Sequence, residues 1–353
     1  MANLKKSTIL KNKIVKNALV IPPMVAFGLS KGDGFVTNEN IEHYDKISKV
    51  GAGIVIVEAT CINPDGRLAV KQLGIWDDKY IEGLRKISDR IHNNGALAII
   101  QLHHAGLKTS KEVTTSPLSS SEYRLNRTIS RKMTIEEIET TIREFGESAK
   151  RAEEANFDGV EIHGAHGYLL TQFFSRKVNK RTDKYGGSFE NNIRIAEEVY
   201  NEVRENVHDD FIIGIRMGSN DDTLKESIER AKKFESIGYD YLHVSTGFDN
   251  TPIEIDIPED FPCNWIVYGG VKIKEEVSIP VIGVNMIKTK EQIGYLLNNN
   301  LLDFVAIGRA QLADYSFIKH LLNDEDIIAC LECKPCKCFT NIKNCPRYLD
   351  NNL

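Results

Sequence analysis

Short apolar runs recur along the chain at nearly even intervals, at positions 18–21, 54–57, 97–102, 160–162, 211–215, 241–244, 280–284 and 304–307. Each is strand length, rich in Val and Ile, and continuous instead of alternating, as expected of parallel strands covered on both faces. Between them lie stretches with helical spacing, at 81–91, 135–155, 193–207, 224–237 and 291–297. Thr134 with Glu137, and Thr223 with Glu226, stand at capping-box spacing, which satisfies orphan N–H groups of a first turn. Gly95 and Gly238 fall where a left-handed residue ends a helix. Eight strands, each followed by a helix, predict an α/β fold of the closed (β/α)8 TIM-barrel type. A doubly wound open sheet also alternates this way but rarely reaches eight even units.

In such a barrel the active site lies at the C-terminal ends of the strands. Those ends read Pro23-Met24-Val25, Glu58-Ala59-Thr60, Gln101-Leu102-His103-His104, His163 with His166, Arg216, Ser245-Thr246-Gly247, Gly283-Val284-Asn285 and Gly308-Arg309. Polar groups cluster at the ends while the strand bodies are apolar, the pattern of a large ligand contacted from all round a rim. The fourth strand delivers His163, His166 and Tyr168 into one loop. Two imidazoles and a phenol at one strand end are costly to keep without partners. Either the histidines cap loop carbonyls and Tyr168 packs in the core, or the three form a site. The longest irregular segment, 108–133, follows the third strand and is either a disordered loop or a lid.

Composition narrows the class. The 353 residues are 41% hydrophobic and 27% charged, as in a globular protein with a substantial core. A formal charge of −5 gives no electrostatic case for nucleic acid or an anionic membrane. No apolar run approaches the roughly 18 residues that span a bilayer. The first residues carry lysines but no signal-peptide pattern, so a cytoplasmic location is expected. Of seven cysteines, Cys330, Cys333, Cys336, Cys338 and Cys345 crowd the C-terminal end, which in a chain without an export signal favours metal or redox chemistry over disulfides.

Two strand ends suggest an anion. Gly283, Asn285, Gly308 and Arg309 follow the seventh and eighth strands, where this fold commonly binds phosphate. Arg216 inside the barrel mouth needs an acceptor, either a structural carboxylate or a heterocycle that gains negative charge on reduction. Gln101 can read an amide-like edge through two hydrogen bonds.

The block GVEIHGAHGYLLTQFFS, with NKRTDKYGGSFEN after it, resembles the signature of the old yellow enzyme family of FMN-dependent oxidoreductases. The resemblance runs over roughly residues 4 to 320 and includes PPM, IVEAT, QLHHAG and AIGR. It implies a (β/α)8 barrel holding FMN noncovalently, reduced by NADH or NADPH in ping-pong turnover. The matching cofactor positions are Pro23, Met24, Val25, Ala59, Gln101, Arg216, Gly283, Asn285, Gly308 and Arg309. The resemblance makes His163 and His166 the donors to a carbonyl or nitro oxygen and Tyr168 the proton donor to the adjacent carbon. The partner is then a small-molecule substrate, such as an enone, and the family's habit allows a homo-oligomer.

Some positions depart from the family pattern. Val25 stands where a Cys or Thr often hydrogen-bonds the flavin, Phe27 where some relatives have a substrate-side Tyr, and Leu107 where an Arg often follows HAG. The tail, residues 326–353 after a barrel of residues 1–325, resembles the four-cysteine iron–sulfur site of 2,4-dienoyl-CoA and 2-enoate reductases. Its spacing differs, and zinc fits the same ligand types; Cys330, Cys333, Cys336 and Cys345 are the candidate ligands. The alternatives are therefore an enoyl or dienoyl thioester reductase fed through a metal cluster, and a flavin-binding thiol sensor. An aldolase-type phosphate barrel is disfavoured because no strand end carries a lysine for a Schiff base.

Overall fold

Eight parallel strands close on themselves in chain order: β1 (Leu19–Ile21), β2 (Ile54–Cys61), β3 (Leu97–His103), β4 (Gly159–Gly164), β5 (Ile212–Gly218), β6 (Tyr241–Ser245), β7 (Val281–Val284) and β8 (Phe304–Ala306). The last pairs with the first through Val305 and Leu19. This computed structural model describes residues 4–26, 28–339 and 344–347. The (β/α)8 barrel expected from the apolar runs is the fold observed. Every residue of β2, β4, β5, β6, β7 and β8 is buried. Interior side chains fill the barrel and exterior ones meet the helices, which is why the runs are continuous.

The helices cover the barrel through apolar stripes. In Ile81–Asn93 the buried residues are Leu84, Ile87, Ser88 and Ile91, spaced at three and four. Thr134 and Glu137 form the full capping box of Ile135–Glu154, whereas Thr223 accepts from Glu226 N–H to start Leu224–Ile237. Gly238 ends that helix at φ 117°. The helix expected at 193–207 starts earlier, at Phe189, because Ser188 caps it by accepting from Asn191 N–H. Two helices had no strong sequence signal. Asn38–Ser48 opens on a box whose third residue is Asn40 instead of Glu or Gln, and Trp265–Lys274 contains the Gly269-Gly270 pair.

A hairpin of Thr8–Leu10 and Lys13–Val15 closes the N-terminal end of the barrel. Lys11 donates to the Phe211 carbonyl at 3.1 Å and Lys13 pairs with Asp158 at 3.1 Å, both just ahead of barrel strands. At the other end, the later part of segment 108–133 is regular. It forms a small sheet of Leu118–Ser119, Tyr123–Leu125 and Thr128–Lys132. Arg181 pins this flap: its Nη1 donates to the carbonyls of Ser120 (2.9 Å) and Met133 (2.7 Å), while Nε and Nη2 grip Asp183. The KRTD part of the motif thus fastens the flap to the barrel. Among the described residues no helix is long and apolar enough to cross a membrane.

Candidate active site

The strand ends open on a cavity of about 460 Å3. Its walls include Pro23, Met24 and Val25 after β1, Ala59 on β2, Gln101 on β3, and His163, His166 and Tyr168 from β4 onward. Arg216, on the strand beside His163, and Asn285, Gly308 and Arg309 after the last two strands complete it. Gly283 is the exception among the predicted cofactor positions. It is not in the cavity wall, and a Cβ there would meet Leu302 Cδ1 at 2.2 Å, so the glycine leaves room for that side chain. Phe27 lies outside the described residues.

Below the cavity sits a buried polar floor. Glu161 of β4 accepts from Gln101 Nε2 at 2.7 Å, from Tyr241 OH at 3.1 Å and from His243 Nδ1 at 2.9 Å. Burial alone would raise the Glu161 carboxyl, but His243, Arg216 and Gln101 outweigh it and hold it below the ordinary range. His243 is pushed down by burial despite Glu161, so the pair is a carboxylate with a neutral imidazole. Arg216 is the floor's positive charge, and its Nε finds no acceptor among the described residues. A nearly buried guanidinium with an unused N–H at a cavity wall is arranged for a polar or anionic ligand.

Tyr168 and the histidines stand above that floor. The His163 and His166 rings are 5.1 Å apart and steeply crossed at 78°, and Tyr168 lies 4.9 Å from His163. His163 Nε2 is 3.3 Å from His166 Nδ1, and His166 Nε2 is 2.8 Å from Ser245 Oγ. Burial drives both imidazoles well below 6.5, with Arg216 and neighbouring imidazoles adding to it, so both are neutral. Burial raises the Tyr168 phenol to about 12, partly offset by Arg216, so it is a proton-bearing group at neutral pH. His166 sits at φ 60°, a region most non-glycine residues avoid. Its conformation is held by its N–H on the Thr246 carbonyl (3.0 Å) and by Lys108 Nζ on its own carbonyl (2.6 Å).

The wall after β7 is strained in the same way. Asn285 and Met286 are consecutive non-glycine residues at φ 119° and 54°. Asn264, which caps Trp265–Lys274, also donates to Asn285 Oδ1 at 2.8 Å and steadies the turn. Two further groups escaped the sequence reading of the site although both stand at strand ends. Ser245 meets His166, and His103 packs 4.5 Å from Tyr168 with its Nδ1 against Gln72 Nε2 at 3.0 Å.

The tail cysteines gather beside this cavity. All five line one small pocket together with Arg309, and Cys330, Cys336 and Cys338 also reach the main cavity. Cys338, absent from the expected ligand set, has its thiol driven upward by burial and by the neighbouring Cys345 and Cys336. All are free thiols, and among the described residues no set of three His, Cys, Asp or Glu side chains is arranged to hold a metal ion.

The pattern of the NADH:flavin oxidoreductase / NADH oxidase family matches residues 6–325. An NADH oxidase of Thermoanaerobacter brockii is 36% identical over 335 residues, covering 91% of this chain and 51% of the oxidase. The solved complex of 2-naphthoyl-CoA reductase with 2-naphthoyl-CoA superposes with a TM-score of 0.88 at 25% identity, covering 98% of this chain and 58% of that one. An old yellow enzyme homologue from Zymomonas mobilis shares the fold with a TM-score of 0.79 at 23% identity, over 93% of this chain and 95% of its own. The chain therefore spans little more than half the length of the first two proteins.

Proposed function

The chain belongs to the NADH:flavin oxidoreductase / NADH oxidase family, and on that premise we propose that it is an FMN enzyme that reduces activated C=C bonds of α,β-unsaturated carbonyl or nitro compounds at the expense of NADH or NADPH. The observation that carries the reading is the convergence of His163, His166 and Tyr168 over Gln101 and Arg216 in one cavity. The residues fit FMN: an amide and an unsaturated guanidinium on one side, and Asn285, Gly308 and Arg309 on the other. Bound FMN supplies hydride transfer, taken from the nicotinamide and passed to the substrate.

The chain's own groups do the rest. Gln101 and Arg216 would hold the ring system, Arg216 balancing the negative charge it gains, and Arg309 would hold the phosphate end. Pro23, Met24, Val25 and Ala59 give the apolar wall that keeps water from the reacting face. His163 and His166 donate to the substrate oxygen, and their pull strengthens as that oxygen becomes an enolate. Neutral imidazoles suit this, since they bind the oxygen without protonating it. Tyr168 gives its phenolic proton to the neighbouring carbon and recovers one from water. We place this chemistry in residues 1–325, with 326–353 as an appended cysteine-rich tail. The test is anaerobic oxidation of NADH and NADPH with and without cyclohexenone. The reading expects oxidation coupled to enone loss; no acceleration by any enone would overturn it.

A second reading, reduction of an unsaturated acyl thioester, draws on the cysteines that reach the main cavity and on the likeness to a protein solved with an aryl-CoA ligand. It requires metal at the tail, so protein lacking both iron and acid-labile sulfide excludes it.

A further inference from the structure

Both histidines have their donors paired with protein atoms. Ala165 N–H donates to His163 Nδ1 at 3.3 Å, so neutral His163 carries its proton on Nε2. That nitrogen faces His166 Nδ1 at 3.3 Å, which must therefore accept. His166 then carries its proton on Nε2 and donates it to Ser245 Oγ at 2.8 Å. The chain of donors runs from His163 through His166 and ends on a hydroxyl.

A ligand oxygen that takes hydrogen bonds from both imidazoles has to sit against the two facing nitrogens, because His166 Nε2 is turned onto Ser245. Both facing nitrogens then need a proton, and His166 holds its proton on the other one. Protonating it twice is opposed by burial and by the Arg216 charge. The remaining route is the other neutral tautomer, in which Nε2 has lost its proton and needs a donor. A hydroxyl serves both states, accepting from Nε2–H in one and donating to Nε2 in the other. The backbone around it is fixed: Ser245 ends β6 in register with Gly218, and its carbonyl accepts from Ser219 N–H at 3.0 Å. His166 is equally anchored through Thr246 and Lys108.

We infer that Ser245 is a positioning residue that lets His166 exchange tautomers, one pairing the imidazole donors with protein atoms and the other turning two N–H groups on one substrate oxygen. The exchange moves no net charge: one proton leaves Nε2 to water and one returns to Nδ1. The inference rests on the reading of His163 and His166 as the oxygen-binding pair, and in it Ser245 acts through His166.

The test uses the FMN-loaded protein and phenol as the probe. Ser245→Ala is expected to weaken phenol binding roughly ten- to hundredfold, the effect of leaving one buried polar atom unpaired, with FMN retained. Ser245→Thr, which keeps the hydroxyl, is expected to restore most of it. In protein carrying 15N-labelled histidine, phenol should convert one imidazole from the Nε2–H to the Nδ1–H pattern. That measurement needs no variant to fold. Wild-type phenol affinity in Ser245→Ala, or imidazole patterns unchanged by phenol, overturns the inference while His163→Ala still abolishes binding. If His163→Ala and His166→Ala both bind phenol normally, the oxygen-binding reading falls and the inference falls with it.

Discussion

Gln101 donates from Nε2 to Glu161 Oε1 at 2.7 Å on the floor of the cavity. Because Glu161 is held as a carboxylate, it has no proton to give, and the Gln101 amide is fixed with its nitrogen down and its oxygen free for a donor above. The same carboxylate is the counter-charge of Arg216. Glu161→Gln removes that charge and lets the Gln101 amide turn. It should cost about 3 kcal/mol of stability, the usual penalty for stranding one partner of a buried pair, and weaken FMN retention. Urea unfolding and FMN release followed by fluorescence check both; unchanged values would separate the floor from cofactor binding.

Acid should unfold the protein from an unusually high pH. Burial pushes His43 and His104 down to about 4 and His103 to about 3, and drives His163 and His166 well below 6.5. The folded state thus binds fewer protons than the unfolded chain below pH 6.5. The stability these residues contribute is complete above that value and is lost as pH falls towards 4. Glu58, raised to about 7, and Asp221, raised to about 6, act in the opposite sense over pH 4–7. Two carboxyls do not offset five imidazoles, each of which contributes about 1.4 kcal/mol per pH unit. The urea midpoint should fall between pH 7 and pH 5; an equal or higher midpoint at pH 5 would contradict the burial of these rings.

Tyr168→Phe separates proton delivery from the rest of the cycle. Removing a positioned general acid lowers the rate about 100-fold or more. Stopped-flow kinetics should show reduction by NAD(P)H nearly unchanged and reoxidation by an enone slowed to that degree. If both half-reactions slow together, Tyr168 shapes the site instead of donating the proton.

Arg181 should control the flap. Its guanidinium is almost fully buried and makes four hydrogen bonds, two of them to the flap's own carbonyls. Arg181→Ala leaves those carbonyls unpaired and takes the cation from Asp183, which keeps only the Tyr185 N–H, and should free the Tyr123–Leu125 hairpin for trypsin at Arg124 or Arg127. Mass spectrometry of the early fragments would show it. Cleavage first elsewhere would mean that other contacts hold the flap.

The barrel was legible because buried parallel strands need continuous Val and Ile, and that need is local. His163, His166 and Tyr168 were legible because one loop carries all three. The floor was not. Glu161, Tyr241 and His243 each look like a single polar interruption of an apolar run, and only barrel closure brings β3, β4 and β6 onto one carboxylate. Ser245 was visible at a strand end, yet its meaning depends on a contact with His166, 79 positions away. The flap was read as irregular because its strands are two to five residues long, too short to show a period. Gly283 stands at a strand end outside the cavity wall, where an added Cβ would meet Leu302.

A histidine pair that holds a substrate oxygen above bound FMN should be visible in the absorption spectrum of the purified protein when phenol is added. Flavin bands are expected, with a new long-wavelength charge-transfer band on adding phenol and loss of that band in His163→Ala/His166→Ala with FMN still bound. A colourless protein that cannot be reconstituted with FMN, or a charge-transfer band that survives in the double variant, would contradict it.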